Sequence, residues 1–209
     1  MGNVYIAFED KITEYVVRRL LKEYTPKAQV IKPMPSRGSE LKAKVAVLNR
    51  LSASNPVILL ADSDGDCPPT AKTDLLKGID PNEGFIINIA YDEVEAWLMA
   101  DRENFAAFMQ VDVDLIPQSH LDRRGGHKAL VETDYGMKAS FYLTHKIAVK
   151  SVDSELKAKM AATGTRCKGP EYNSGLQPFI DIWNINIAAQ NSDSLSRMIR
   201  RLVALNERL

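Results

Sequence analysis

Cysteine and histidine are scarce in this chain. The two cysteines, Cys67 and Cys167, lie far apart without a C-x-x-C spacing. That excludes a disulfide scaffold and a zinc ribbon, and it predicts a reducing compartment. The three histidines, His120, His127 and His145, show no H-x-x-x-H spacing, which argues against a histidine-rich zinc site. No apolar run approaches the ~20 residues that a membrane helix needs. No basic segment precedes the first apolar run, so no secretory leader is expected and the predicted location is cytoplasmic. Net charge is lacking too, with 27 basic and 27 acidic residues. Nucleic-acid binding by bulk positive charge is thereby excluded, and any such binding must use a local patch. G-x-x-x-x-G-K-[ST] is absent, so no P-loop is present.

What is present is an ordinary globular composition, 45% apolar in 209 residues, enough for one large domain or a domain with an appendage. Residues 57–66 read VILLADSDGD. A short apolar run bounded by turn chemistry predicts a strand buried on both faces. Asp62, Asp64 and Asp66 follow at every second position, with Gly65 free to turn the chain. Like charges so close together repel, and a divalent cation would relieve that repulsion. The competing reading is an Asp-rich turn that uses Asp and Gly for geometry alone.

Around this stretch the periodicity alternates. Strands are predicted at 4–8, 28–31, 57–61 and 85–90. Helices are predicted at 11–24, after Ser39 as a cap with Leu41, Val45 and Leu48 facing inward, at 68–78, and from 92 onward. Pro33, Pro35 and Gly38 read as a rigid loop. This βαβαβαβ order implies a mainly parallel four-stranded sheet flanked by helices. The remainder is expected to be an α-helical C-terminal half, dividing the chain into 1–101 and 102–209. In it, helices are predicted for a piece running to about 133, for 154–162 and for 192–209, with a loop over 164–175. Trp97, Phe141, Tyr142 and Trp183 are read as core.

In a parallel sheet the first and third strands can be neighbours, with their carboxyl ends on one edge, where open α/β sheets bind ligands. Glu9, and with it Asp10, would then stand beside Asp62 and Asp64. Glu93 and Glu95 could join from strand four. Carboxylates without histidine or cysteine select Mg²⁺ or Mn²⁺, and such ions serve phosphoryl transfer or phosphodiester hydrolysis. An EF-hand starting at Asp62 fails, because Cys67 stands at its sixth position and Thr73 at its twelfth. A receiver domain with Asp62 as phosphoacceptor remains an alternative. It would want a lysine after a fifth strand, and it would leave Asp64 and Asp66 unexplained.

The glutamate after strand one, Asp62-x-Asp64 after strand three, and the segments FEDKITE (8–14) and EVEAWLMAD (93–101) together resemble the Toprim fold. More narrowly, they are similar to small bacterial Toprim-like proteins related to the Toprim domain of OLD-type nucleases. The resemblance covers roughly residues 3–101. It implies a Mg²⁺- or Mn²⁺-dependent nuclease in which Glu9, Asp62 and Asp64 are the metal-binding and catalytic acids. Glu14 and Glu95 would be candidates for a second metal. It also implies a setting in anti-phage defence with an ABC-type ATPase partner. The family motif carries Gly where this chain has Asp10, which leaves Glu9 and Asp10 both open as the first acid. A catalytically degenerate subunit that binds a partner or nucleic acid is the alternative. Oligomeric state is left open.

Candidate nucleic-acid contacts are Arg123, Arg124, His127 and Lys128 around Gly125-Gly126, together with Lys138, Arg166 and Lys168. Each competes with a plain solvated surface charge. The same holds for the arginines of the last helix.

Overall fold

VILLAD forms β3 (Val57–Asp62), its first five residues buried. The computed structural model describes residues 1–36, 38–122, 129–131 and 137–209. The chain resolves into two compact units: residues 1–90 with 197–209, and residues 91–196. This division differs from one after residue 101. It falls after Ala90 and returns the last stretch of chain to the first unit.

In the first unit, β1 (Gly2–Phe8), β2 (Ala28–Pro35), β3 and β4 (Phe85–Ala90) form one sheet in the order β2-β1-β3-β4. Every pair is parallel. The connections are α1 (Lys11–Tyr24), α2 (Ser39–Leu51) and α3 (Pro68–Leu76). The α/β class and the parallel four-stranded sheet flanked by helices are as the βαβ pattern predicts. Successive strand residues serve opposite faces. Ala7, Leu59, Ala61, Ile87 and Ile89 pack with Leu41, Val45 and Leu48 of α2 and with Leu75 of α3. Val4, Ile6, Ile58 and Leu60, also fully buried, turn to the opposite face. On α1, Ile12, Val16, Val17, Leu20 and Leu21 form the buried stripe, the pairs 16/17 and 20/21 following Ile12 one turn apart. The helix starts at Asp10, whose Oδ1 accepts the N–H and the hydroxyl of Thr13 at 2.9 and 2.8 Å. It stops before Pro26, which lacks the N–H a further turn would need. Thr25 Oγ1 then donates to the carbonyl of Leu202, tying α1 to the C-terminal stretch.

Several local expectations need correction. Pro33 and Pro35 lie inside β2, not in a loop. β2 is an edge strand, so a proline there can face outward without breaking a ladder bond. Gly38, not Ser39, holds the N-cap position of α2.

The second unit contains α4 (Val94–Met99), α5 (Arg102–Met109), α6 (Ala139–Tyr142), α7 (Ser154–Met160), α8 (Tyr172–Ile182) and α9 (Ile185–Gln190). All six residues of α4 are buried. The indole N–H of Trp97 donates to Ser194 Oγ at 2.8 Å, satisfying the one polar atom that its burial would otherwise strand. Phe105 and Phe179 meet edge to face at 5.0 Å. β5 (His120–Asp122) and β6 (Ala129–Val131) pair antiparallel, so the helical piece expected to end near 133 contains a strand. A run as short as Ala-Leu-Val carries no period that separates strand from helix. α8 begins within the loop expected over 164–175. Phe141 is 38% exposed and stacks on His145 at 3.6 Å between ring centres, so it is not core, whereas Trp183 is buried. Tyr142 is half-buried and donates its hydroxyl to the Leu115 carbonyl. The last helix, α10 (Asp193–Arg208), opens with the Leu195 N–H on Ser192 Oγ at 3.2 Å. Among the described residues no helix is long and apolar enough to cross a membrane.

Candidate active site

The carboxyl ends of three strands line up. Phe8 pairs in register with Leu60, and Asp62 pairs with Ala90. Glu9 therefore leaves the sheet next to the end of β3. Beyond Asp62 the Ser63 N–H still bonds the Ala90 carbonyl at 3.0 Å. The chain then turns back: the Asp66 N–H bonds the Ser63 carbonyl at 2.9 Å. Asp64 and Gly65 make this turn with φ of 52° and 88°. Asp tolerates the left-handed region better than most residues, and glycine enters it freely. Pro68, at the start of α3, fits a position whose N–H no helical carbonyl could use.

Glu9, Asp62, Asp64, Asp66 and Asp74 line one cavity of about 290 Å³, with Gly38, Lys42 and apolar residues of α2, α3 and β4 completing its wall. Burial pushes the Glu9 carboxyl above its ordinary value, and the nearby charges of Asp64 and Asp10 push the same way. The backbone N–H groups of Asp62 and Gly38 bond it and pull down, but they lose to burial and repulsion. Glu9 and Asp64 are thus close enough to feel each other's charge. Asp10 points elsewhere: its Oδ1 is spent on the cap of α1. Successive residues leaving a strand diverge, so Glu9 takes the cavity and Asp10 takes the helix.

The lining of this cavity does not include Glu14, Glu93 or Glu95. Glu14 is buried, and its two oxygens bond Lys11 Nζ and Arg18 Nε, each at 2.8 Å. Burial alone would raise its pKa, but the two cations outweigh it and hold the carboxyl below its usual value. Glu95 belongs to the second unit, 2% exposed, where Oε1 accepts the Tyr172 hydroxyl at 2.8 Å and Lys168 Nζ at 3.2 Å. Lys168 also lies 4.6 Å from the centre of the Tyr172 ring. Glu93, buried in the same unit, accepts the Ser140 N–H at 2.7 Å. Lys138 stands exposed just ahead of α6, and Arg166 is exposed. Arg123, Arg124, His127 and Lys128 lie outside the described residues.

Sequence reasoning passed over Lys42 and Asp74. Both sit on helix positions whose polarity is that of any solvated face. The one available signal was their place beside Leu41 and Leu75, inward residues of the helices that wall the cavity.

The donors around the cavity are carboxylates without imidazole or thiolate, a set whose chemistry fits a hard divalent cation. As they stand, no three His, Cys, Asp or Glu side chains among the described residues are placed to hold a metal ion.

Fold and site together define an α/β protein with an acid-lined cleft at the carboxyl edge of a parallel sheet. No family model matches the chain, and no curated protein matches it. Among solved structures it is similar to the C-terminal region of the Xanthomonas campestris pv. campestris OLD protein. The TM-score is 0.46 at 14% identity, over 99% of this chain and 98% of that one.

Proposed function

We propose that this protein is a Mg²⁺- or Mn²⁺-dependent nuclease of Toprim type, hydrolysing phosphodiesters at the cleft of Glu9, Asp62 and Asp64. The observation that carries the reading is the Glu9–Asp64 pair: two carboxylates just beyond the ends of β1 and β3, in one cavity, with Glu9 held toward its protonated form. Glu9, Asp62 and Asp64 would hold the cation, which when bound would offset charge on the phosphoryl group. The chain's own contribution is order and proton handling. The N–H groups of Asp62 and Gly38 fix the Glu9 carboxylate. With its affinity for a proton raised, Glu9 suits the exchange of a proton with a water in the cavity. The four-stranded sheet offers no fifth parallel strand, among the described residues, to carry the lysine of a receiver domain.

The resemblance extends the proposal to an effector of anti-phage defence working with an ABC-type ATPase. Co-purification with the product of an adjacent ATPase gene checks that extension. The test of the chemistry is cleavage of labelled DNA and RNA by the pure protein. Activity should require Mg²⁺ or Mn²⁺, vanish in chelator, and vanish in Asp64→Asn while circular dichroism stays unchanged. Full activity in chelator would end the metal mechanism. The lack of three converging ligands among the described residues favours, as a second reading, a subunit that binds nucleic acid or a partner without cutting. Metal-dependent turnover by the purified chain decides between the two.

A further inference from the structure

β4 is the outer strand of the sheet, and on its free edge the Ile87 carbonyl meets Arg201 of α10 instead of a neighbouring strand. The carbonyls of Gly84 and Ala90 face β3, where they accept the N–H groups of Val57 and Ser63. With a period of two, the carbonyl of Ile87 faces the open edge. Arg201 reaches it: its Nη1 donates to Ile87 O at 2.6 Å and to Asn88 Oδ1 at 2.8 Å. Asn88 is 2% exposed, and its Nδ2 has no hydrogen-bond partner. The amide cannot turn over to cure this, since that would set its N–H₂ against the guanidinium. Arg197 and Arg200, four residues and one residue before Arg201, add their charges to it. Lys72 of α3 lies near enough to feel Arg201 as well.

The electrostatics at this edge are one-sided. Among the described residues no ion pair links a carboxylate to Lys72, Arg200 or Arg201. Burial first, and then Arg201, lowers the Lys72 pKa. Burial first, and then Arg197 and Arg200, lowers that of Arg201. Like charges at helical spacing repel, and a buried amide N–H without an acceptor is uncommon. What the edge lacks is an acceptor with negative charge.

We propose that Lys72, Arg200 and Arg201, the last held by the Oδ1 of Asn88, form an anion site that takes a phosphate of the nucleic-acid backbone. The ligand chemistry is an oxyanion with several acceptor oxygens, which a guanidinium and an ammonium bind well. The position suits the proposed cleavage, on which this inference rests. Lys72 lies on α3 beside Ala71, and Ala71, Asp74 and Ile89 line the acid cleft. Asn88 is two residues from the end of β4. A strand held on this edge would thus run close to the carboxylates.

The experiment uses the full chain without metal, a fluorescein-labelled single-stranded oligothymidylate, and pyrophosphate as the free-anion control. The variant is Lys72→Ala with Arg200→Ala, two side chains that anchor no part of the fold. Asn88→Leu, which removes the Oδ1 that holds Arg201, is the second variant. Wild type should bind the oligonucleotide with a salt dependence that falls by about two phosphate contacts in the double variant. Affinity in that variant should fall at least tenfold, and Asn88→Leu should weaken binding less. Equal affinity and equal salt slope for wild type and double variant would overturn the site. Pyrophosphate binding that the double variant loses, with oligonucleotide binding unchanged, would overturn its assignment to nucleic acid. Cleavage is read separately with Mg²⁺. Cleavage that depends on Asp64 but is indifferent to Lys72 and Arg200 sinks this inference and leaves the nuclease reading standing. Binding lost in the double variant, with no cleavage by wild type, sinks the nuclease reading and leaves the anion site standing.

Discussion

Glu9→Gln should make the metal-free protein more stable at neutral pH, and the gain should disappear in acid. The carboxyl is held above its ordinary value of 4.5 by burial and by the charges of Asp64 and Asp10. The folded state therefore binds this proton more tightly than the unfolded chain does. The cost of ionising it is absent below about pH 4.5, the unfolded value, and grows as pH rises through the folded value. Glutamine keeps one acceptor for the N–H groups of Asp62 and Gly38 while removing the charge. A full pKa unit corresponds to about 1.4 kcal/mol, but Glu9 is only partly buried and solvent screens its charge. After that discount the expected gain at pH 7 is about 0.5–1 kcal/mol, or ~1–4 °C in Tm for a chain of this size. Thermal melts from pH 4 to 7.5, with chelator and with Mg²⁺, measure it. Mg²⁺ present at about a hundred times its Kd would stabilise wild type by ~2.7 kcal/mol, and the variant much less. A variant that melts below wild type at pH 7, or a difference that does not shrink toward pH 4, would refute the account of a carboxylate strained by burial and Asp64.

Asp10→Ala should cost about 1 kcal/mol by urea denaturation, the usual worth of an N-cap, and should leave metal-dependent cleavage in place. Loss of cleavage in a well-folded Asp10→Ala protein would transfer the role of first acid from Glu9 to Asp10. Glu14→Gln should behave oppositely to Glu9→Gln. The Glu14 carboxyl lies below its ordinary value, so its ion pairs stabilise at neutral pH and that stability is lost as pH falls through the lowered value. The expected loss at pH 7 is about 0.5–1 kcal/mol for the two helical pairs. A variant as stable as wild type in low salt would show that they contribute nothing.

The sheet was legible because β3 and β4 are almost wholly buried on both faces. In VILLAD and FIINIA the polar residues are Asn88 and the terminal Asp62, too few for a helix surface, and the acids that follow mark where each strand ends. The choice between Glu9 and Asp10 was not legible, since both stand at a strand end. Only the hydrogen bonds of Thr13 show which of the two is spent on the helix. Pro33 and Pro35 misled because proline excludes a central strand and not an edge strand, and strand order is not written in local sequence. The ion pairs of Glu14 were legible only in part. Its partners Lys11 and Arg18, three and four residues away on one helix face, were in view, but charges there read equally well as a solvated surface.

The path of the chain through its two units sets an order of events during synthesis. Residues 197–209 complete the first unit, yet the ribosome makes them after the whole of the second. At typical elongation rates the sheet waits roughly ten seconds for them. Until then the Ile87 carbonyl and the Asn88 amide lack Arg201, and the β4 edge stands open to pairing with any nascent strand nearby. The second unit carries no such delay, so it can close while the sheet that precedes it in the chain is still unfinished. A chaperone that binds exposed strand edges would find its window in that interval.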